Sequence, residues 1–146
     1  MNSSRLHRSL ISAALVATFA LASPALADMV NYKADLKGAS VVPPSDSKGT
    51  GSLTVTYDTA SKTLTWKGAY TGLTGAATAA HFHGPADAGK NAGVAVPIAP
   101  ATNPLDGKAT LTDAQAADLA AGKWYVNVHT AKFPNGEIRG QVVKGK

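Results

Sequence analysis

The 146-residue sequence contains no cysteine, and this absence excludes several kinds of chemistry. Without thiols the chain cannot form disulfides, iron–sulfur clusters, thiolate zinc sites or a cysteine nucleophile. Any metal ion must therefore be held by histidine, carboxylate, methionine or backbone oxygen. Charged residues are also scarce, at 16% against an average near ~25%, while 45% of residues are hydrophobic. This balance favours one packed domain over a disordered chain.

Motifs of several enzyme classes are missing as well. There is no Gly-x-Ser-x-Gly elbow, no glycine-rich loop leading into a helix, and no carboxylate pair in a recognisable frame. Serine hydrolases and nucleotide-binding enzymes therefore have no support.

The amino terminus is predicted to be a signal peptide. Arg5 and Arg8 precede an apolar run at residues 10–22, and residues 23–27 end in the small-x-small pattern of a signal-peptidase site. The 13-residue run is shorter than the ~20 residues that span a bilayer, so no membrane span is expected after processing. We expect cleavage after Ala27, a single domain of residues 28–146, and a periplasmic or secreted protein.

Removal of the predicted signal peptide would lower the net positive charge. The formal net charge is +5, but residues 1–27 contain two of the fourteen basic residues and none of the nine acidic ones, which leaves +3. The remaining lysines are scattered singly along the chain. Without a basic cluster, a nucleic-acid partner is not expected.

Alternating apolar and polar residues dominate the rest of the sequence. Strands are predicted at residues 30–37, 53–57, 64–70, 76–83, 94–98, 123–131 and 137–143, while 99–108 is predicted to be loop. One short helix is predicted after Thr112, with Gln115 completing a capping box and Gly122 ending it. Seven to eight short strands indicate an all-β antiparallel sandwich or Greek-key barrel. Trp66 and Trp124 are expected in its core.

The same alternation assigns side chains to faces of the sheet. Phe82, Val126, Val128 and Ile138 are predicted to face the core, so their neighbours face outward. The predicted outer face carries His81, His83, Tyr125, Asn127, His129, Glu137, Arg139 and Gln141. Keeping Arg139 on the face of His129 requires an odd number of residues in the connecting loop, so we predict a three- or five-residue loop with Gly136 at positive φ. A direct pair of His129 with Val142 would contradict this assignment.

The outer face contains all the histidines that follow the predicted signal peptide. His81 and His83 lie two residues apart on one strand, about 6.5 to 7 Å along the chain, and His129 can approach from a neighbouring strand. Three nitrogen ligands without sulfur suit copper or zinc, and the affinity order favours copper. The alternative is that His81 and His83 are solvated surface residues and His129 is a hydrogen-bonded one.

Neighbouring residues have candidate roles at such a site. Asn127 or Glu137 could accept the outer N–H of a metal-bound imidazole. Arg139 could attract a small anion such as superoxide, and Tyr125 could hydrogen-bond at the rim. The alternative for each is an ordinary cross-strand contact, such as Glu137 with Lys132. Asp87 is either a loop ligand for a second cation or a turn-forming residue.

Four segments resemble the chordin-type (CHRD) domain. They are residues 41–44 (VVPP), 80–85 (AHFHGP), 122–130 (GKWYVNVHT) and 133–141 (FPNGEIRGQ), and the similarity runs from about Tyr32 to Val143. This resemblance implies an immunoglobulin-like β-barrel that in bacteria is a secreted or periplasmic single domain. The family is named for a domain of an animal extracellular protein that binds growth factors, so it implies no settled activity.

A weaker resemblance is to copper-zinc superoxide dismutases. It implies that His81, His83 and His129 bind copper and that Arg139 steers the anion. The chain lacks a bridging histidine, a histidine-rich zinc loop and a disulfide, and the spacing from His129 to Arg139 differs, so a copper-only site is implied.

Two functions follow as alternatives. One is an exported copper protein that cycles between Cu(I) and Cu(II), either dismutating superoxide or exchanging copper with a donor or acceptor. The other is a non-enzymatic extracellular module that binds a protein or glycan. The placement of all three histidines on one face favours copper.

Overall fold

The computed structural model describes residues 26–146, so the predicted signal peptide lies almost entirely outside the described residues. The strands are β1 (Met29–Lys37), β2 (Thr50–Asp58), β3 (Thr63–Thr71), β4 (Ala77–His83), β5 (Val94–Ile98), β6 (Leu105–Thr110), β7 (Tyr125–Thr130), β8 (Ile138–Gln141) and β9 (Val143–Lys144). The described part also contains one α-helix, α1 (Asp113–Ala120), and a 3₁₀ turn at Gly38–Ser40. None of its helices has the length and apolar character needed to cross a membrane.

The strands form one antiparallel sheet in the order β5-β4-β7-β8-β1-β2-β3-β6, with β9 paired to β1. We call β1, β2, β3 and β6 the first half-sheet, and β4, β5, β7 and β8 the second. The halves join where Lys37 of β1 pairs with Arg139 of β8. The end strands β5 and β6 also lie in contact, so the sheet nearly closes into a barrel. The prediction of an all-β fold with one short helix is confirmed, with nine strands in the described residues rather than seven or eight.

The core lies between the two half-sheets and is centred on aromatic rings. The ring of Phe82 packs edge-on against Trp66 at 5.2 Å and tilted against Trp124 at 5.8 Å, measured between ring centroids. Both tryptophans are buried, as predicted. Val126, Val128 and Ile138 are also fully buried, so the assignment of core-facing residues is confirmed.

Strand β6 corrects the prediction that residues 99–108 form a loop. Its register pairs Trp66 of β3 with Gly107, and a Cβ at position 107 would lie 2.6 Å from the Trp66 ring. The indole thus fills the place of the missing side chain. Gly107 stands at the position where an apolar residue would show the alternation of a strand. The alternating pattern of β6 could therefore not be read from the sequence.

Helix α1 has the predicted caps. The Thr112 side chain accepts from the Gln115 N–H, and the Gln115 side chain accepts from the Thr112 N–H. Gly122 has a φ of +72°, which is the conformation that ends a helix. The helix packs through Leu119, which is fully buried.

The register of β7 with β8 confirms the predicted faces. Asn127 pairs with Arg139 and Val128 with Ile138, so His129 is not opposite Val142. The connecting loop spans residues 131–137, longer than predicted but of the predicted odd parity, and Gly136 has a φ of +121°. The final predicted strand is divided in two: β8 ends at Gln141, the Val142 N–H donates to the Trp124 carbonyl, and β9 then pairs with β1.

Candidate metal centre

The outer face of the second half-sheet is polar but is covered by loops. Tyr125 and Arg139 are each only 2% exposed and Asn127 is 6% exposed. Three segments contribute to this cover, and we call residues 41–47, 84–93 and 131–137 the covering loops. The side chains face away from the core as predicted, but Tyr125, Asn127 and Arg139 are not open to solvent, because hydrogen bonds fasten the loops onto this face.

The three predicted histidines lie together on this covered face. His81 and His83 extend from β4, and His129 lies on the adjacent strand β7, opposite Ala79. One ring nitrogen from each lies within 4.8 Å of the others. The closest contact joins Nδ1 of His81 to Nε2 of His129 at 3.2 Å. His129 is hydrogen-bonded to His81 and to the Pro134 carbonyl, as the alternative interpretation states. His83, in contrast to that interpretation, is buried rather than solvated.

Two backbone carbonyls fix the orientation of the imidazoles. Nδ1 of His83 lies 3.0 Å from the Ala92 carbonyl oxygen, and Nδ1 of His129 lies 2.9 Å from the Pro134 carbonyl oxygen. Because a carbonyl oxygen only accepts, each Nδ1 carries the proton and each Nε2 keeps a lone pair. Nε2 of His83 is buried and has no hydrogen-bond partner among the described residues. A buried lone pair without a partner is costly, and a metal ion would satisfy it.

The protonation states also suit a metal. Burial lowers the pKa of His81, and the nearby His129 lowers it further. Burial lowers the pKa of His83 as well, although the hydrogen bond to the Ala92 carbonyl opposes this effect. Both imidazoles are therefore neutral at pH 7, which is the form that binds metal ions.

The spacing is close to that of ligands on one ion. Two nitrogens 3.2 Å apart, each about 2.0 to 2.1 Å from an ion, would make an angle of roughly 100° at that ion. Nitrogens on one such ion are at most about 4.2 Å apart. The candidate ligand nitrogens of the three histidines lie within 4.8 Å of one another, so each side chain needs to shift by well under ~1 Å for all three to bind one ion.

Tyr125 and Arg139 form a stack beside the cluster. The Tyr125 ring is parallel to the His83 ring, with centroids 4.8 Å apart, and the Arg139 guanidinium carbon lies 3.5 Å from the Tyr125 centroid. Because β7 lies between β4 and β8, the tyrosine ring separates Arg139 from His83. Arg139 therefore does not face the histidines, and an anion at the cluster would have to bypass Tyr125 to touch it.

Covering loop 84–93 holds this stack in place. Arg139 donates to the Asn91 side-chain oxygen at 2.8 Å and to the Lys90 carbonyl oxygen at 2.6 Å. The Tyr125 hydroxyl accepts from the Ala92 N–H at 3.0 Å and lies 3.2 Å from the Ala92 carbonyl oxygen. Since the same Ala92 carbonyl holds His83, this loop links the histidine cluster to Tyr125 and Arg139.

Glu137 and Asn127 do not make the predicted contacts with the imidazoles. The Glu137 carboxylate is fully buried and accepts from the side chains of Ser47, Thr74 and Thr130 and from the Thr74 N–H. No salt bridge with Lys132 occurs among the described residues.

The Asn127 amide nitrogen instead donates to the Asn135 carbonyl oxygen at 3.3 Å. The backbone carbonyls of Ala92 and Pro134, rather than these side chains, accept from the imidazole N–H groups. Backbone carbonyls carry no residue signature, so sequence reasoning missed them.

Asp87 is explained by local structure. Its side chain pairs with Lys123, and its carbonyl accepts from the Lys90 N–H in a turn. The only cluster of potential metal ligands found within residues 26–146 is that of the three histidines.

The fold and the cluster define a small all-β module with a histidine-containing polar face beneath loops. The sequence model of the CHRD domain matches residues 32–142, and the chain belongs to this family. The match extends from within β1 beyond the end of β8 and includes all three histidines. Among curated proteins and among solved structures, no match to the chain was found.

Proposed function

We propose that this CHRD domain binds a copper ion through His81, His83 and His129. The observation that carries the proposal is the buried Nε2 of His83, which has no hydrogen-bond partner in the described chain and lies in a cluster of imidazole nitrogens. Building such a group into a fold costs stability unless a ligand satisfies it. The carbonyls that hold His83 and His129 are the kind of second contact that metal-bound histidines usually have.

Copper is favoured over zinc by the chemistry of the ligands. The cluster supplies three neutral imidazoles and neither thiolate nor carboxylate. Imidazole suits copper as well as zinc, and nitrogen sites of this kind bind Cu(II) more tightly than Zn(II). The predicted signal peptide would deliver the domain to the periplasm or outside the cell, where this affinity order can act.

Exchange of copper with a donor or acceptor is the favoured role. Dismutation of superoxide is the second candidate, because His81 and His129 are only partly buried and a small anion could reach an ion held there. Steering by Arg139 is hindered by the intervening ring of Tyr125. The covered site therefore supports binding and transfer better than rapid anion turnover.

The proposal is tested by titrating purified residues 28–146 with Cu(I) and Cu(II) against competing chelators, alongside Zn(II). We expect one copper per chain, no stoichiometric copper in the H81A/H83A/H129A variant, and tighter binding of copper than of zinc. The matched control is K33A/T54A/K67A, which changes three exposed positions on the first half-sheet and should keep full copper binding.

Equal copper binding by the triple-histidine variant would overturn the proposal and leave the non-enzymatic binding module as the function. Superoxide loss assayed on the copper-loaded protein separates the two copper roles. Dismutation that depends on the three histidines would make the domain an enzyme, whereas copper binding without dismutation supports exchange.

A further inference from the structure

A cleft of about 380 Å³ lies between the segment after β1 and covering loop 84–93. Val41, Val42 and Pro44 supply apolar wall, while Ser40, Gln141 and Arg139 supply polar groups. No acidic residue lines the cleft. Its volume falls within the roughly 300–1,000 Å³ of small-molecule sites.

Arg139 brings an unusual charge to this cleft. It is nearly fully buried, yet no carboxylate of the described residues lies in salt-bridge contact with it, since the salt bridges found there join Lys62 to Asp113 and Lys123 to Asp87. Buried arginines are ordinarily paired with an anion. A guanidinium has five N–H donors, and the Asn91 and Lys90 oxygens take one each from its two terminal nitrogens. Three N–H groups therefore remain, and the face of the Tyr125 ring stabilises the positive charge without neutralising it.

We propose that this cleft binds a small organic carboxylate, with Arg139 holding the carboxylate and the wall of Val41, Val42 and Pro44 contacting its apolar body. A carboxylate matches the planar fork of arginine and neutralises a buried charge, which an uncharged ligand does not. Ser40 and Gln141 also line the cleft and can hydrogen-bond to the ligand's polar substituents. The Gln141 amide nitrogen already donates to the Ala86 and Gly122 carbonyls, so its oxygen is the group left for the ligand.

This site is separate from the histidine cluster. The ring of Tyr125 lies between Arg139 and His83, and none of the three histidines lines the cleft. Binding of the carboxylate therefore does not require a metal, and the two proposals can fail independently.

The test is an NMR titration of the protein with benzoate, 4-methylpentanoate and acetate, each compared with its neutral amide, with a strong chelator present. We expect saturable shifts of the amides of Ser40, Val42 and Gln141 with benzoate or 4-methylpentanoate, and at least ~10-fold weaker binding of the matching amide. Absence of binding by all three acids, equal binding by the amides, or shifts confined to other surfaces would overturn the proposal.

Two variants locate the ligand without depending on the fold of an arginine mutant. Ala88 is exposed and lines the cleft, so A88F should block it and weaken binding at least ~10-fold by overlap with the ligand. The control A60F places the same ring in the exposed turn between β2 and β3 and should leave binding unchanged. Unchanged affinity in A88F would contradict the site.

R139K keeps the charge but loses the planar fork. It should also weaken binding, with the amide spectrum reporting whether the fold is intact.

Discussion

The two half-sheets obey the same alternation but treat their outer faces differently. On the first half-sheet the outward residues, such as Lys33, Thr54 and Lys67, are exposed to solvent. On the second half-sheet Tyr125 and Arg139 are as buried as core residues. Alternation determines which way a side chain points, whereas the loops determine whether water reaches it.

The two half-sheets also differ in how many of their polar groups must be hydrogen-bonded within the protein. The first half-sheet has one buried side and a water-facing side that needs no further partners. The second has a core side and a polar side on which buried groups must be hydrogen-bonded. Most of them are, by the covering loops, but Nε2 of His83 and the Asn127 side-chain oxygen have no partner in the described chain. On the core side of the first half-sheet, the indole nitrogen of Trp66 also lacks one. The histidine cluster thus lies on the face where a buried polar atom without a partner points to a bound ligand.

The largest expected effect comes from removing the carboxylate that fastens the covered face. E137A removes the shared acceptor of Ser47, Thr74 and Thr130, and it leaves the buried hydroxyl of Thr130 without a close partner for its proton. Hydrogen bonds to a charged group contribute about 1.5–3 kcal/mol each, so the loss of this set should lower the unfolding free energy by at least about 3 kcal/mol. Denaturant unfolding measures this loss. The control D35A, on the exposed face of β1, should stay within about 0.5 kcal/mol of the parent, and an equally small loss in E137A would show that the cover is not held this way.

Damage to the core of the first half-sheet should be smaller and should leave the metal site alone. G107A places a Cβ 2.6 Å from the Trp66 ring and should lower the unfolding free energy by about 1–3 kcal/mol through overpacking.

The matched control for G107A is G75A, because nothing lies within 4 Å of a Cβ at position 75. G75A should lose far less stability. Copper affinity should be unchanged in both variants, and a weakened affinity in folded G107A would show that strain passes from Trp66 through Phe82 to the histidines of β4.

Y125F should have the reverse effect of G107A: a large loss of copper affinity with a small loss of stability. This change keeps the ring that stacks on His83 but removes the hydroxyl that contacts both backbone groups of Ala92. Because the Ala92 carbonyl orients His83, copper affinity should fall about 10- to 100-fold while stability changes by only about 1 kcal/mol.

The control for Y125F is Y70F. Tyr70 lies on β3, and its hydroxyl donates to the Ala101 carbonyl oxygen at 2.9 Å. Y70F should cost similar stability without affecting copper. Equal copper affinity in the two variants would remove the proposed role of covering loop 84–93.

The smallest effect is a change in acid sensitivity. Burial raises the pKa of Glu137, but the hydrogen bonds from Thr130, Ser47 and Thr74 outweigh it, so the pKa lies below its ordinary value. Its ionisation therefore stabilises the fold above the unfolded-state pKa of about 4.3, and this contribution is lost as pH falls through the lower folded-state pKa. Thermal unfolding between pH 7 and pH 3 should show a shallower decline for E137Q than for the parent, and parallel curves would contradict this account.

Much of the fold could be predicted from local residues. Strands β2 and β3, the caps of α1 and the faces of β4 and β7 depend on alternation and side-chain capping, which short segments reveal. Strand β6 could not be predicted, because Gly107 matters only through Trp66, which is distant in sequence.

The candidate site was predictable in the same uneven way. Parity placed His81, His83 and His129 on one face, since period-two alternation needs no tertiary information. Their partners were not predictable, because the carbonyls of Ala92 and Pro134 belong to loops whose path depends on the whole fold. Glu137 illustrates the same limit, since its partners Ser47 and Thr74 come from distant connections.

X-ray absorption spectroscopy of the copper-loaded protein tests the proposed centre most directly, because it counts the imidazoles bound to the metal. We predict three imidazole nitrogens at about 2.0 to 2.1 Å from one copper ion, and loss of this signal in H81A/H83A/H129A. A copper ion with one imidazole or none, or an identical spectrum from the variant, would contradict the assignment of His81, His83 and His129 as the metal centre.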